Sequence, residues 1–146
     1  MKIDGECHCG KIAYQAEVDP DTLIICHCTD CQILAGAPYR AVIPALAESF
    51  VMLRGEPKTY CKTAESGNSV AHHFCGDCGT PIYASAPANP DRYGLRFGAI
   101  KQRVQLHPVW QIWCRSALPW ATDLSAIKKD DRQPGVLTER VTGKSN

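Results

Sequence analysis

Cysteine spacing constrains this chain more than any other feature of it. Three compact groups, Cys7-His8-Cys9, Cys26-His27-Cys28-Thr29-Asp30-Cys31 and Cys75-Gly76-Asp77-Cys78, contain all but two of the nine cysteines, leaving Cys61 and Cys114 apart. The N-terminal Met1-Lys2-Ile3-Asp4-Gly5-Glu6 is polar and lacks the apolar run of an export signal, so a cytoplasmic, reducing location is expected. Structural disulfides are disfavoured there, and an odd count fits a disulfide framework poorly, which leaves metal binding or catalysis as the use of these thiols.

The 146 residues suit one domain, expected over residues 1–127 and followed by a polar tail, 128–146, that includes Pro134-Gly135 and shows no periodicity. A net charge of +1 and the absence of a long basic run argue against a nucleic-acid partner. No apolar stretch is long enough to span a bilayer, so no membrane partner is expected. Lys11 to Val18 alternates with the period of a half-buried strand, and Thr22 to Ile25 reads as a short strand delivering Cys26. Thr29 to Gly36 suits one or two helical turns, with Thr29 or Asp30 as cap and Gly36 as stop. Further strands are read at Tyr39–Ile43, Phe50–Leu53, Lys58–Lys62, Val70–Phe74, Thr80–Tyr83, Tyr93–Ile100 and Pro108–Trp113, with a short helix from Pro119 through Ile127. Many short strands and little helix predict a mainly β fold organised around metal.

Glycines bracket Cys7/Cys9 and follow Cys78, which lets the backbone bend so that both thiols of a pair converge on one ion. Two such pairs supply the four sulfurs that close a structural zinc, whereas Cys26, Cys28 and Cys31 supply three, the number a catalytic zinc keeps while one position stays open. A competing assignment gives one zinc to Cys7, Cys9, Cys26 and Cys28 and another to Cys31, Cys75 and Cys78. A fourth ligand from His27, His72, His73 or a partner would instead make the second zinc structural. His8 and His27 suit supporting roles. His72 and His73 should point to opposite faces of their strand, and Cys61 and Cys114 suit buried apolar positions. The tryptophans suit core or rim, and Arg40, Arg96, Lys101 and Arg115 suit surface charge.

Gly-x-Cys-x-Cys-Gly near the start, Cys-His-Cys-x-x-Cys in the middle and Phe-Cys-x-x-Cys-Gly-Thr-Pro-Ile after it, with Ser116-Ala117-Leu118-Pro119-Trp120 as a closing element, occur in a recognisable order. Over residues 5 to about 120 the chain resembles the glutathione-dependent formaldehyde-activating enzyme family, which also takes in centromere-protein-V-like proteins. The resemblance implies an Mss4-like β-tent of short antiparallel strands, a structural zinc at Cys7, Cys9, Cys75 and Cys78, and a second, catalytic and labile zinc at Cys26, Cys28 and Cys31. It also implies glutathione as co-substrate, a small-molecule thiol and aldehyde as partners, and a carbon–sulfur lyase activity of the S-hydroxymethylglutathione synthase kind. The same chemistry suggests Arg40, Arg96, Lys101 and Arg115 as candidates to meet glutathione's carboxylates. The alternative is a non-catalytic zinc scaffold for a protein partner. Redox exchange through Cys28-x-x-Cys31 lacks the βαβ setting of that motif.

Overall fold

The computed structural model describes residues 1–132. A three-stranded sheet of β1 (Lys2–Glu6), β2 (Ala13–Glu17) and β5 (Val51–Arg54) packs on a seven-stranded sheet. The larger sheet contains β3 (Ile24–Cys26), β4 (Arg40–Leu46), β6 (Lys58–Thr63), β7 (Ser69–Phe74), β8 (Pro81–Ser85), β9 (Arg92–Arg96) and β10 (Trp110–Ile112), in the order β10-β3-β4-β9-β8-β7-β6. The one α-helix, α1 (Thr29–Ala35), follows β3. The protein is therefore mainly β.

Alternation decides which side chains meet between the sheets. On β1 and β2, Ile3, Tyr14 and Ala16 point inward, and on β4 and β9 so do Ile43, Ala45 and Leu95; all are buried. Isolated bridges Gly5↔Ile100 and Val18↔Ala45 tie the two sheets at their margins. The opposite face of the large sheet, carrying Arg40, Val42 and Arg96, turns away from this core. Cys26 pairs with Arg40 and Val42 with Arg96, so Cys26 lies on that outer face as well.

Several local expectations need correction. Strand β1 carries a single large inward residue, Ile3, so its period is faint in the sequence; the other inward position is Gly5, directly opposite Tyr14. The strands are not all antiparallel, because β10 returns alongside β3 in parallel. The helix expected over Pro119–Ile127 is only a 3-10 turn at Pro119–Thr122, and Leu124 and Ile127 remain exposed, leaving no buried apolar face to support more turns. Strand character after β9 gives way to a 3-10 turn at Phe97–Ala99. Of the expected tail, residues 128–132 are exposed and the remainder lies outside the described residues.

The Gly5–Tyr14 contact leaves no space for a larger residue: a methyl added at Gly5 would overlap the Tyr14 ring. Gly5→Ala is expected to destabilise the protein by about 1–3 kcal/mol through overpacking, measured by urea unfolding. The Tyr14 hydroxyl is buried without a hydrogen-bond partner, so Tyr14→Phe should leave the urea midpoint unchanged or raise it. A large loss for Tyr14→Phe would contradict this packing.

Candidate metal centres

The structure gathers seven cysteines into two separate clusters. Cys7, Cys9, Cys75 and Cys78 place their sulfurs within 4.8 Å of one another, and so do Cys26, Cys28 and Cys31. The assignment that would split the central triplet between two ions does not occur. In the first cluster the chain bends back at both turns: Gly10 N–H donates to Cys7 O and Gly79 N–H to Cys75 O, with φ of +76° and +73° at the two glycines. A left-handed backbone at these positions favours glycine. The His8 amide donates to Thr80 Oγ1 at 3.1 Å, linking the two turns directly.

Sulfur spacing tests whether this donor set suits zinc. Four sulfurs at 2.3 Å from a tetrahedral ion lie about 3.8 Å apart; the Cys7–Cys9 and Cys9–Cys75 separations are 3.6 and 3.7 Å. The fit is close. The Ile12 amide donates to Cys7 Sγ at 3.2 Å, and the Thr80 hydroxyl lies 3.1 Å from Cys78 Sγ. Donation from Thr80 lowers the Cys78 thiol to about 5, which favours the ligating thiolate.

The second cluster sits where β3 ends and α1 begins. Cys28 occupies the helix N-cap, and its sulfur accepts the Cys31 amide at 3.3 Å. This corrects the expected Thr29 or Asp30 cap: the sulfur takes the role a hydroxyl or carboxylate ordinarily fills. Gly36, at φ +59°, terminates the helix as expected. Cys26 and Cys28 sulfurs are 3.5 Å apart. Cys31 donates toward Cys26, lowering Cys26 to about 5 and raising Cys31. Among the described residues no further His, Cys, Asp or Glu joins this group, leaving a three-donor set.

Two glutamines absent from the sequence-based candidates hold the triplet loop. Gln32 Nε2 donates to the carbonyls of His27 and Ser116, at 2.8 and 2.9 Å, and Gln111 Oε1 meets His27 Nε2 at 2.8 Å. The His27 amide donates to Ile112 O. Thus β10 clamps the loop from the C-terminal segment. No short motif marks Gln32 or Gln111, because the Gln32–Ser116 and Gln111–His27 bonds each span 84 positions.

Beside the triplet lies a cavity of about 430 Å³, with Arg40, Arg96, His72, Tyr60 and Phe74 in its wall. His72 and His73 point to opposite faces of β7 as expected: His72 meets Arg96 on the outer face, whereas His73 stacks on Tyr83, which packs against the core. Arg40 and Arg96 are buried, at 5% and 8% exposure, rather than surface charges. Lys101 pairs with Glu6, and Arg115 pairs with Glu65 while lying over the Trp113 ring. Cys61 and Cys114 are exposed, correcting the buried roles expected of them. Trp110, Trp113 and Trp120 are exposed too, placing them at the rim and not in the core.

The family model described as glutathione-dependent formaldehyde-activating enzyme matches residues 2–116. The chain belongs to this family. Membership explains why both cysteine clusters and the β10 clamp fall within the matched span. The fold is also similar to the crystal structure of a Rhodobacter sphaeroides protein from a structural genomics programme, with a TM-score of 0.57 and 21% identity. That match covers 73% of this chain and 98% of the other, and its likeness concerns the fold. Among the described residues no helix is long and apolar enough to cross a membrane.

Replacing Gln111 by Leu strands the buried His27 Nε2. The expected cost is about 1–3 kcal/mol in urea unfolding, accompanied by faster alkylation of Cys28 and Cys31 as the loop loosens. Wild-type values for both measurements would show that Gln111 does not clamp the loop.

Proposed function

We propose that residues 1–127 form one zinc-dependent domain that acts as a carbon–sulfur lyase on glutathione thiol adducts, of the S-hydroxymethylglutathione synthase kind. A structural zinc would be held by Cys7, Cys9, Cys75 and Cys78, and a catalytic, more labile zinc by Cys26, Cys28 and Cys31. The observation that carries the reading is the three-sulfur cluster without a fourth donor among the described residues, set beside a ligand-sized cavity.

Zinc bound at the triplet would lower the pKa of an incoming thiol and hold its sulfur near an electrophile. The protein's own residues prepare that position. The Cys31 amide stabilises charge on Cys28, Gln32 and Gln111 keep the loop fixed, and Arg40 sits opposite Cys26, where its positive charge favours ionised sulfur. In the synthetic direction a carbon–sulfur bond forms at the aldehyde carbon. The carbonyl π pair moves to oxygen, which takes a proton; the lyase direction breaks the same bond and returns the proton to sulfur. Burial of Cys26, with the partial exposure of Cys28 and Cys31, leaves access to the cluster from one side.

A second reading is a zinc-bearing scaffold for a protein partner, favoured by exposed Trp110 and Trp113 at the β10 edge. Elemental analysis of chelator-free protein is expected to show about two zinc ions per chain. Cys28→Ser should remove glutathione-dependent turnover of formaldehyde, followed by proton NMR, while preserving the fold; Cys75→Ser should unfold the protein. In cobalt-substituted protein, saturating glutathione should shift the visible absorption. An unchanged spectrum together with no turnover would favour the scaffold.

A further inference from the structure

The outer face of the large sheet holds an electrostatic arrangement that the seven cysteines do not account for. Arg40 is 5% exposed, yet its guanidinium makes no hydrogen bond and no ion pair with any described residue, and its Nη1 is buried without a partner. A buried, unpaired cation is costly unless an anion arrives. Arg96, 8% exposed, donates from Nη2 to His72 Nδ1 at 3.1 Å. Arginine has no acceptor, so this bond requires Nδ1 to be the unprotonated nitrogen and places the proton on Nε2. That Nε2 is itself buried without a partner. Burial and the neighbouring Arg96 lower His72 to about 4, keeping the imidazole neutral at physiological pH.

Charge balance points the same way. Zinc held by three thiolates leaves one net negative charge, which Arg40 can offset from the adjacent strand. Arg96 is then uncompensated, since the nearby Lys62 is already paired with Asp30. Both arginines and His72 border the same cavity, with Tyr60, Phe74 and Tyr83 supplying apolar walls. We propose that this cavity is a carboxylate subsite, in which Arg96 takes up the negative charge, with Arg40 bordering it, and His72 Nε2–H supplies a neutral donor. Resting on the functional reading above, it would seat a carboxylate of glutathione while the thiol reaches the triplet. A free aryl-alkyl carboxylate shares the same chemistry.

Isothermal titration calorimetry separates the two sources. S-methylglutathione retains both carboxylates but has no ionisable thiol, and its diethyl ester removes the charge; 3-phenylpropionate is the independent carboxylate probe. Wild-type protein is expected to bind S-methylglutathione about tenfold or more tightly than the ester, and Arg96→Met to lose a similar factor. Arg96→Lys should recover part of it. Without ligand, Arg96→Met should melt at or above the wild-type temperature, because a buried unpaired charge has been removed. In wild-type protein, ¹⁵N-resolved NMR should show a neutral His72 with Nε2 protonated, and its Nε2–H resonance should move on ligand addition.

Arg96-dependent binding of 3-phenylpropionate without binding of S-methylglutathione would retain the subsite and remove glutathione as its ligand. Equal affinity for acid and ester would overturn the subsite, as would unchanged binding by Arg96→Met or an unmoved His72 resonance. A ligand-free Arg96→Met protein that unfolds would also overturn it, showing that the guanidinium is a structural prop. None of those four results depends on turnover, so the lyase reading stands or falls separately.

Discussion

Four sulfurs brought within 4.8 Å of one another tie the two sheets together. Cys7 and Cys9 close the turn between β1 and β2, and Cys75 and Cys78 close the turn between β7 and β8, so their convergence joins the small sheet to the far side of the large one. Thiolates at these distances repel one another strongly in the absence of a cation. The glycine-bent turns and the N–H donors aimed at sulfur reduce that repulsion, but they do not replace a positive centre. Core packing from Ile3, Tyr14, Ile43 and Leu95 lies next to this cluster, with Cys7 and Cys75 themselves buried in it. Sulfur convergence and hydrophobic burial therefore act on the same junction.

The triplet is built on different terms. It hangs from the end of one short strand and is capped by its own sulfur, then clamped by glutamines and by β10 rather than being sunk in the core. Cys28 and Cys31 are partly exposed beside the buried Cys26, and what separates this cluster from the four-sulfur one, whose Cys9 is itself exposed, is its count of three donors. On the same outer sheet face the two arginines create positive potential that favours thiolate and carboxylate, while the neutral His72 offers an N–H donor.

The mainly β class was legible because short alternating runs are separated by turn residues, and the cysteine groups were legible because both members of each group lie within a few residues of one another. Strand β1 was not, since glycine fills one of its two inward positions and carries no hydrophobic signal. Cys28 as helix cap was also hidden, because capping statistics point to the neighbouring Thr29 and Asp30 whereas the geometry of the bend selects sulfur. The opposed faces of His72 and His73 were legible from the strand period alone, because regular pairing with Ala84 and Tyr83 keeps the alternation at both positions.

By itself the sequence determined the three cysteine groups, the glycines that allow their turns, the predominance of strands and the resemblance to a glutathione-dependent family. These are local properties, set by spacing, side-chain type and backbone freedom over a few residues. Tertiary structure alone decided which groups share a cluster, that β10 runs parallel to β3 to clamp the triplet, and that Arg40 and Arg96 are buried beside it. Those outcomes join residues tens of positions apart, and their energies come from desolvation and hydrogen bonding, which exist only once the sheets have closed.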